Sequence, residues 1–76
     1  GCSFRMRHRL MAYIDRLIDN NERIYEFRAE GRLNKIAIEK EVADHIVQKL
    51  YEQGRDSVGI RTCSNKELGI YRMEIS

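Results

Sequence analysis

The stretch that decides the fold is residues 39–54, EKEVADHIVQKLYEQG, which has the clearest helical pattern in the chain. Glu39 and Glu41 fall in the first turn, where the helix dipole favours anions, and Gly54 is a C-terminal stop. Apolar side chains recur at the spacing of one helix face, at Val42, Ala43, Ile46, Val47 and Leu50. We therefore predict a helix over residues 39–53.

Two strands are predicted after this helix, over residues 57–63 and 68–75, because apolar side chains alternate in both segments. The polar residues 64–67 between them have the length of a hairpin connection. Gly59 and Gly69 lie inside the two strands and indicate bulges or close approach of another backbone. The C-terminal third is thus predicted to form a β-hairpin.

A first helix is predicted over residues 4–18, with Ser3 as its N-cap and Asn20-Asn21 as its end. Its apolar stripe consists of Met6, Leu10, Tyr13, Ile14 and Leu17. The period changes to two from Arg23 onward, which predicts a strand with Tyr25 and Phe27 on one face.

Residues 32–38 are ambiguous. A tight turn at Glu30-Gly31 would fold them back as a second strand, with Ile36 opposite Tyr25 and Lys35 opposite Glu26. The alternative is the start of a helix capped by Asn34. We prefer the hairpin, because as a helix the segment places Glu39 within the apolar stripe.

The chain of 76 residues has the length of one small domain, which we assign to residues 1–76. We expect an α+β fold with two helices and a small antiparallel sheet of three to four strands in hairpins. The predicted order is α-β-β-α-β-β, or α-β-α-β-β if residues 32–38 begin a helix. Residues 1–5 are interpreted as a mobile arm or a remnant of an expression tag.

Most enzyme classes are excluded by what the sequence lacks. Neither His8 nor His45 has a spaced nucleophile or carboxylate partner, and His45 is expected to be an exposed helical residue. Cys2 and Cys63 belong to no zinc motif, and no phosphate-binding glycine loop occurs. We therefore predict no enzymatic activity, no catalytic residues, no metal and no cofactor.

The location of the protein is inferred from its cysteine usage and hydropathy. Two free thiols are typical of a cytoplasmic protein. No apolar run approaches the ~18–20 residues of a membrane helix, so no membrane partner is expected.

The first helix is cationic, although 14 basic and 12 acidic residues give a net charge of only +2. No acidic residue occurs among the first ten. Arg5, Arg9 and Arg16 share one side of the helix, opposite the apolar stripe, and Arg7 is close by in sequence. We predict that Arg5, Arg7, Arg9 and Arg16 bind an anionic partner or phosphates.

Two functions remain open at this stage. The first is a non-enzymatic protein-interaction or regulatory module, acting as a homodimer or as an adaptor or inhibitor of another protein, since small cores and open sheet edges favour association. The second is a small nucleic-acid-binding regulator that uses the arginine-rich helix. Tyr25, Phe27 and Tyr71 could stack on bases, but we expect them in the core.

A helix followed by a C-terminal hairpin also resembles the recognition helix and wing of winged-helix proteins. Two features depart from that pattern. No clear helix-turn-helix is present, and the second helix is acidic on its outer face at Glu41, Asp44 and Glu52. The interaction module is therefore the preferred hypothesis.

Overall fold

The computed structural model describes the backbone of residues 2–76 and the side chains of residues 4–76. Within that range the elements are α1 (Cys2–Asp19), β1 (Ile24–Arg28), α2 (Arg32–Lys35), α3 (Ile38–Glu52), β2 (Ile60–Thr62) and β3 (Ile70–Ile75). The predicted α+β class is confirmed. The predicted cap at Ser3 lies outside the described side chains.

The three strands form one antiparallel sheet in the order β1-β3-β2. In the register of β1 and β3, Tyr25 is opposite Met73 and Phe27 is opposite Tyr71. The predicted β2–β3 hairpin is present, with Arg61 opposite Glu74, but both strands are shorter than predicted, and Gly59 and Gly69 lie outside them. The last strand in the chain is thus the central strand of the sheet, and β1 and β2 are its edges.

The prediction of a strand at residues 32–38 is wrong, and the helical alternative is correct only in part, because residues 32–35 form a separate short helix and α3 begins at Ile38. Leu33 in α2 is buried, and Ile38, the first residue of α3, is fully buried. As a strand, the segment would turn Asn34 toward the core together with Ile36 and Ile38. The place beside β1 is taken by β3 instead, whose inner face is entirely apolar.

Asn34 does not cap a helix either. It lies within α2, where its side-chain oxygen accepts a hydrogen bond from the Tyr71 hydroxyl. Its amide nitrogen donates to the backbone oxygen of Lys66 at 3.2 Å. This one side chain therefore ties α2 to β3 and to the connection between β2 and β3.

The core lies between one face of the sheet and the two long helices. Tyr25, Phe27 and Tyr71 are buried as expected, and the Phe27 and Tyr71 rings stack with centroids 5.2 Å apart. The helices contribute a buried row each, Leu10, Ile14 and Ile18 from α1 and Ile38, Val42, Ile46 and Leu50 from α3. The opposite face of the sheet is open.

The apolar stripe of α1 is rotated from its predicted position. Ile18 belongs to the buried row, whereas Met6 and Tyr13 remain 42% and 38% exposed. On a helical projection these two side chains lie to one side of Leu10 and Ile14, toward β1. The stripe therefore divides into a core row and a partly exposed flank.

Candidate functional site

The four arginines predicted to bind an anion do not all lie on one surface of α1. Arg7 faces α3, where its Nε lies 3.0 Å from Oε2 of Glu41. Arg5, Arg9 and Arg16 are exposed on α1 and form no ion pair with the residues that the structure describes, and Arg9 lies on the side nearer β1.

A second polar contact joins α1 to α3. His45 Nε2 lies 2.6 Å from Oδ1 of Asp15, and both side chains are partly shielded from solvent. The expectation that His45 is an exposed helical residue is therefore wrong. Because α1 and α3 pack side by side, the opposite charges of the two helices are matched within one chain and need no second subunit.

The open face of the sheet carries an alternating row of charges. Glu26 pairs with Arg72 at 3.1 Å, Arg72 with Glu74 at 3.0 Å, and Glu74 with Arg61 at 2.6 Å. Hydrogen bonds from Arg72 and Arg61 hold the pKa of Glu74 below its ordinary value. The row crosses all three strands and ends at Glu26 on the outer strand β1.

A groove runs along β1 beneath the flank of α1, with a volume of about 460 Å³. We call it the α1–β1 groove. Its residues are Met6, Arg9, Leu10, Tyr13, Glu26, Phe27, Arg28 and Leu33. Three structural elements thus build a mainly apolar depression with charged residues at its rim.

The groove lies directly beside an unpaired strand edge. Ala29 N–H donates to the Gly69 carbonyl, and Ile75 N–H donates to the Arg23 carbonyl. Odd-numbered positions of this strand therefore face β3, and backbone groups at Ile24, Glu26 and Arg28 point away from it. Within residues 2–76 no strand pairs with that outer edge.

Candidate catalytic groups are not brought together. His8 stacks against Phe4 on the outside of α1, with ring centroids 6.4 Å apart, and Cys63 is exposed on the sheet. No group of three His, Cys, Asp or Glu side chains among the described residues could hold a metal ion. None of the helices described is long and apolar enough to cross a membrane.

The segment that a helix-turn-helix would require is short in this chain. Only two residues separate α2 from α3, in the chain order α1-β1-α2-α3-β2-β3 with strand order β1-β3-β2. The sequence gives no clear helix-turn-helix because α2 has four residues. The predicted acidity of α3 stands, with four carboxylates, Glu39, Glu41, Asp44 and Glu52, against Lys40 and Lys49.

Comparison of the chain with protein-family models, with curated proteins and with solved structures finds no match in any of the three. The function must therefore be argued from the surface itself. The groove was missed at the level of sequence because Met6 and Tyr13 fit the apolar stripe. Their offset from Leu10 and Ile14 on the helical projection was the available signal.

Proposed function

We propose that this chain is a protein-interaction module that acts as a homodimer through the α1–β1 groove and the outer edge of β1. The observation that carries the proposal is the position of an apolar groove directly beside an unpaired strand. Such an edge accepts an added strand through its backbone, and an adjacent groove accepts that strand's side chains.

The exposed side chains of the groove support this proposal. Met6 and Tyr13 present apolar surface to solvent above β1, where a second copy would cover them. A domain of this size also buries a small core, so association adds apolar contacts that the single chain lacks. The net charge of only +2 also favours a protein partner over a nucleic acid.

The test is the oligomeric state of a groove variant against a matched control. Sedimentation equilibrium should show a dimer for the wild-type chain, and Tyr13→Glu should raise its dissociation constant at least tenfold. Tyr51→Glu places the same charge on an exposed tyrosine of α3, away from the groove, and should leave the dimer unchanged. A wild-type monomer at high micromolar concentration, or equal effects of the two variants, would contradict the proposal.

A second candidate function is nucleic-acid binding by α1. It is favoured by the exposure of Arg5, Arg9 and Arg16 on this one helix. Three phosphate contacts predict a slope of about −2.7 for log K against log salt on duplex DNA. Binding would be weak and independent of sequence.

Fluorescence anisotropy with labelled DNA and RNA, at low and at physiological salt, tests this second function. The variant Arg5→Gln/Arg9→Gln/Arg16→Gln should lose binding. The control Arg32→Gln/Lys35→Gln/Lys40→Gln removes the same number of charges from the α2–α3 region and should bind normally. If both triple variants lose binding to the same degree, no specific face of α1 is involved.

A further inference from the structure

We infer that the two copies pair through antiparallel β1 strands in a register that sets Glu26 of each chain opposite Arg28 of the other. This inference rests on the proposed homodimer and names the contacts that specify it. A two-fold axis perpendicular to the sheet would pass beside Phe27. The two three-stranded sheets would then form one sheet of six strands.

The backbone of β1 is prepared for this pairing. Hydrogen-bonded pairs with β3 occur at the odd positions, so the N–H and C=O groups of Glu26 and Arg28 both face the open edge. In an antiparallel ladder, two residues of that kind placed opposite each other exchange two hydrogen bonds. The register therefore makes two such pairs across the axis, related by symmetry.

The charges on the open face of the sheet select this register. The row Arg61, Glu74, Arg72 and Glu26 alternates in sign and stops at the edge with Glu26. Arg28 of a second copy would continue the alternation, and the same contact would occur twice. Opposite charges directly across a strand pair are stabilising, whereas like charges there are destabilising.

The neighbouring symmetric register is less favourable. It would centre on Glu26 and place the two Glu26 carboxylates directly opposite each other. That register offers one more hydrogen-bonded pair of residues, but it opposes like charges at its centre. In the register that we propose, Phe27 is instead opposite its own copy on the inner face, and each ring stays stacked on Tyr71 of its own chain.

The other edge of the sheet is a poorer candidate for self-association. Strand β2 has only three residues, and a short edge strand offers few backbone groups for pairing. Its charged residue Arg61 contacts Glu74 at 2.6 Å, whereas the contact of Arg28 with Glu30 on the β1 side is longer, at 3.6 Å. Strand β1 also has five residues without proline, lysine or a bulge, so it offers more backbone groups to an added strand.

The experiment combines two charge reversals. Glu26→Arg and Arg28→Glu should each weaken the homodimer, because each places like charges opposite one another. An equimolar mixture of the two variants should form a heterodimer of wild-type affinity, since both cross-strand pairs are then complementary. Arg61→Glu, a reversal on the opposite edge of the sheet, should leave the dimer unchanged.

A milder variant keeps the test valid if a reversal impairs folding. Glu26→Gln removes two cross-strand ion pairs per dimer and should raise the dissociation constant about two- to thirtyfold. In the register centred on Glu26, the same variant would relieve a repulsion and lower the dissociation constant. A lowered constant would therefore overturn the proposed register.

The failures of the two proposals can be told apart. If the wild type dimerises and Tyr13→Glu disrupts the dimer, but the mixed charge variants do not recover affinity, the register is wrong and the homodimer function stands. If the wild type is a monomer, both proposals fail. Thermal melts of each variant show whether a loss of association comes from unfolding.

Discussion

Gly69→Ala should destabilise the fold by about 2–5 kcal/mol, because two independent costs add at this position. Its φ is +69°, and an L residue held there costs about 1–2 kcal/mol. An added Cβ would also collide with the carbonyl oxygen of Ala29. The N–H of the buried Ala29 donates to the carbonyl oxygen of Gly69 at 2.8 Å. The collision would lengthen or break this hydrogen bond, whose loss costs about 1–3 kcal/mol.

Gly54→Ala is the matched control for this prediction. Gly54 follows the end of α3 and also has a positive φ, +92°, but no atom lies within 4 Å of the place where its Cβ would stand. It should therefore cost only the conformational term of about 1–2 kcal/mol. The difference between the two variants measures the close approach of β1 to the turn before β3.

Urea denaturation followed by far-ultraviolet circular dichroism measures both variants. A domain of this length has a total stability of about 4–11 kcal/mol, so Gly69→Ala is expected to lower the urea midpoint well below that of the wild type, and Gly54→Ala to lower it less. Equal losses of unfolding free energy would refute the argument. That result would mean that backbone conformation alone matters at Gly69 and that β1 moves aside without cost.

Three further predictions concern the core and the charged contacts. Ile14→Ala should lower the unfolding free energy by about 2–5 kcal/mol in urea denaturation, because the side chain is fully buried between α1 and the rest of the core; a loss below 1 kcal/mol would contradict its central place. His45→Ala should lower the unfolding free energy by about 1 kcal/mol. In a double-mutant cycle with Asp15→Ala, most of that loss should be common to the two substitutions, whereas additive losses would mean that the two side chains act separately. Glu74→Gln should lower the melting temperature at neutral pH and have little effect in acid. Folding depresses the pKa of this carboxyl, so it contributes stability above its unfolded pKa of about 4.3, and that stability is lost as the pH falls through its lower folded pKa. A difference in melting temperature that persists in acid would exclude the carboxylate charge as its cause.

The sequence predicts the elements that bury a periodic apolar face. The apolar stripe from Val42 to Leu50 can be buried only as a helix, and the apolar alternation from Tyr71 to Ile75 only as a strand. Any other conformation would expose those side chains. Close backbone approach, one of the two interpretations of Gly69, is confirmed, although this residue lies in the turn before β3 and not inside the strand. Local pattern is sufficient for these features.

The sequence is insufficient where the outcome depends on a distant partner. Residues 32–38 have a strand-like alternation, but β3 competes for the place beside β1 and has more apolar surface to bury there. The environment of His45 depends in the same way on Asp15, thirty positions earlier in the chain. The α1–β1 groove combines side chains from three elements, so no single segment could have shown it.

The central position of β3 sets the time at which this protein can fold on the ribosome. Strand β1 has no sheet partner until residues 70–75 have been made, about forty residues later, which at ordinary rates of synthesis is roughly 2–8 s. During that interval α1 and α3 can associate, since both precede the hairpin in the chain. During this interval the nascent β1 exposes the unpaired backbone groups of both its edges. We therefore expect chaperones to bind this segment mainly before β3 is synthesised.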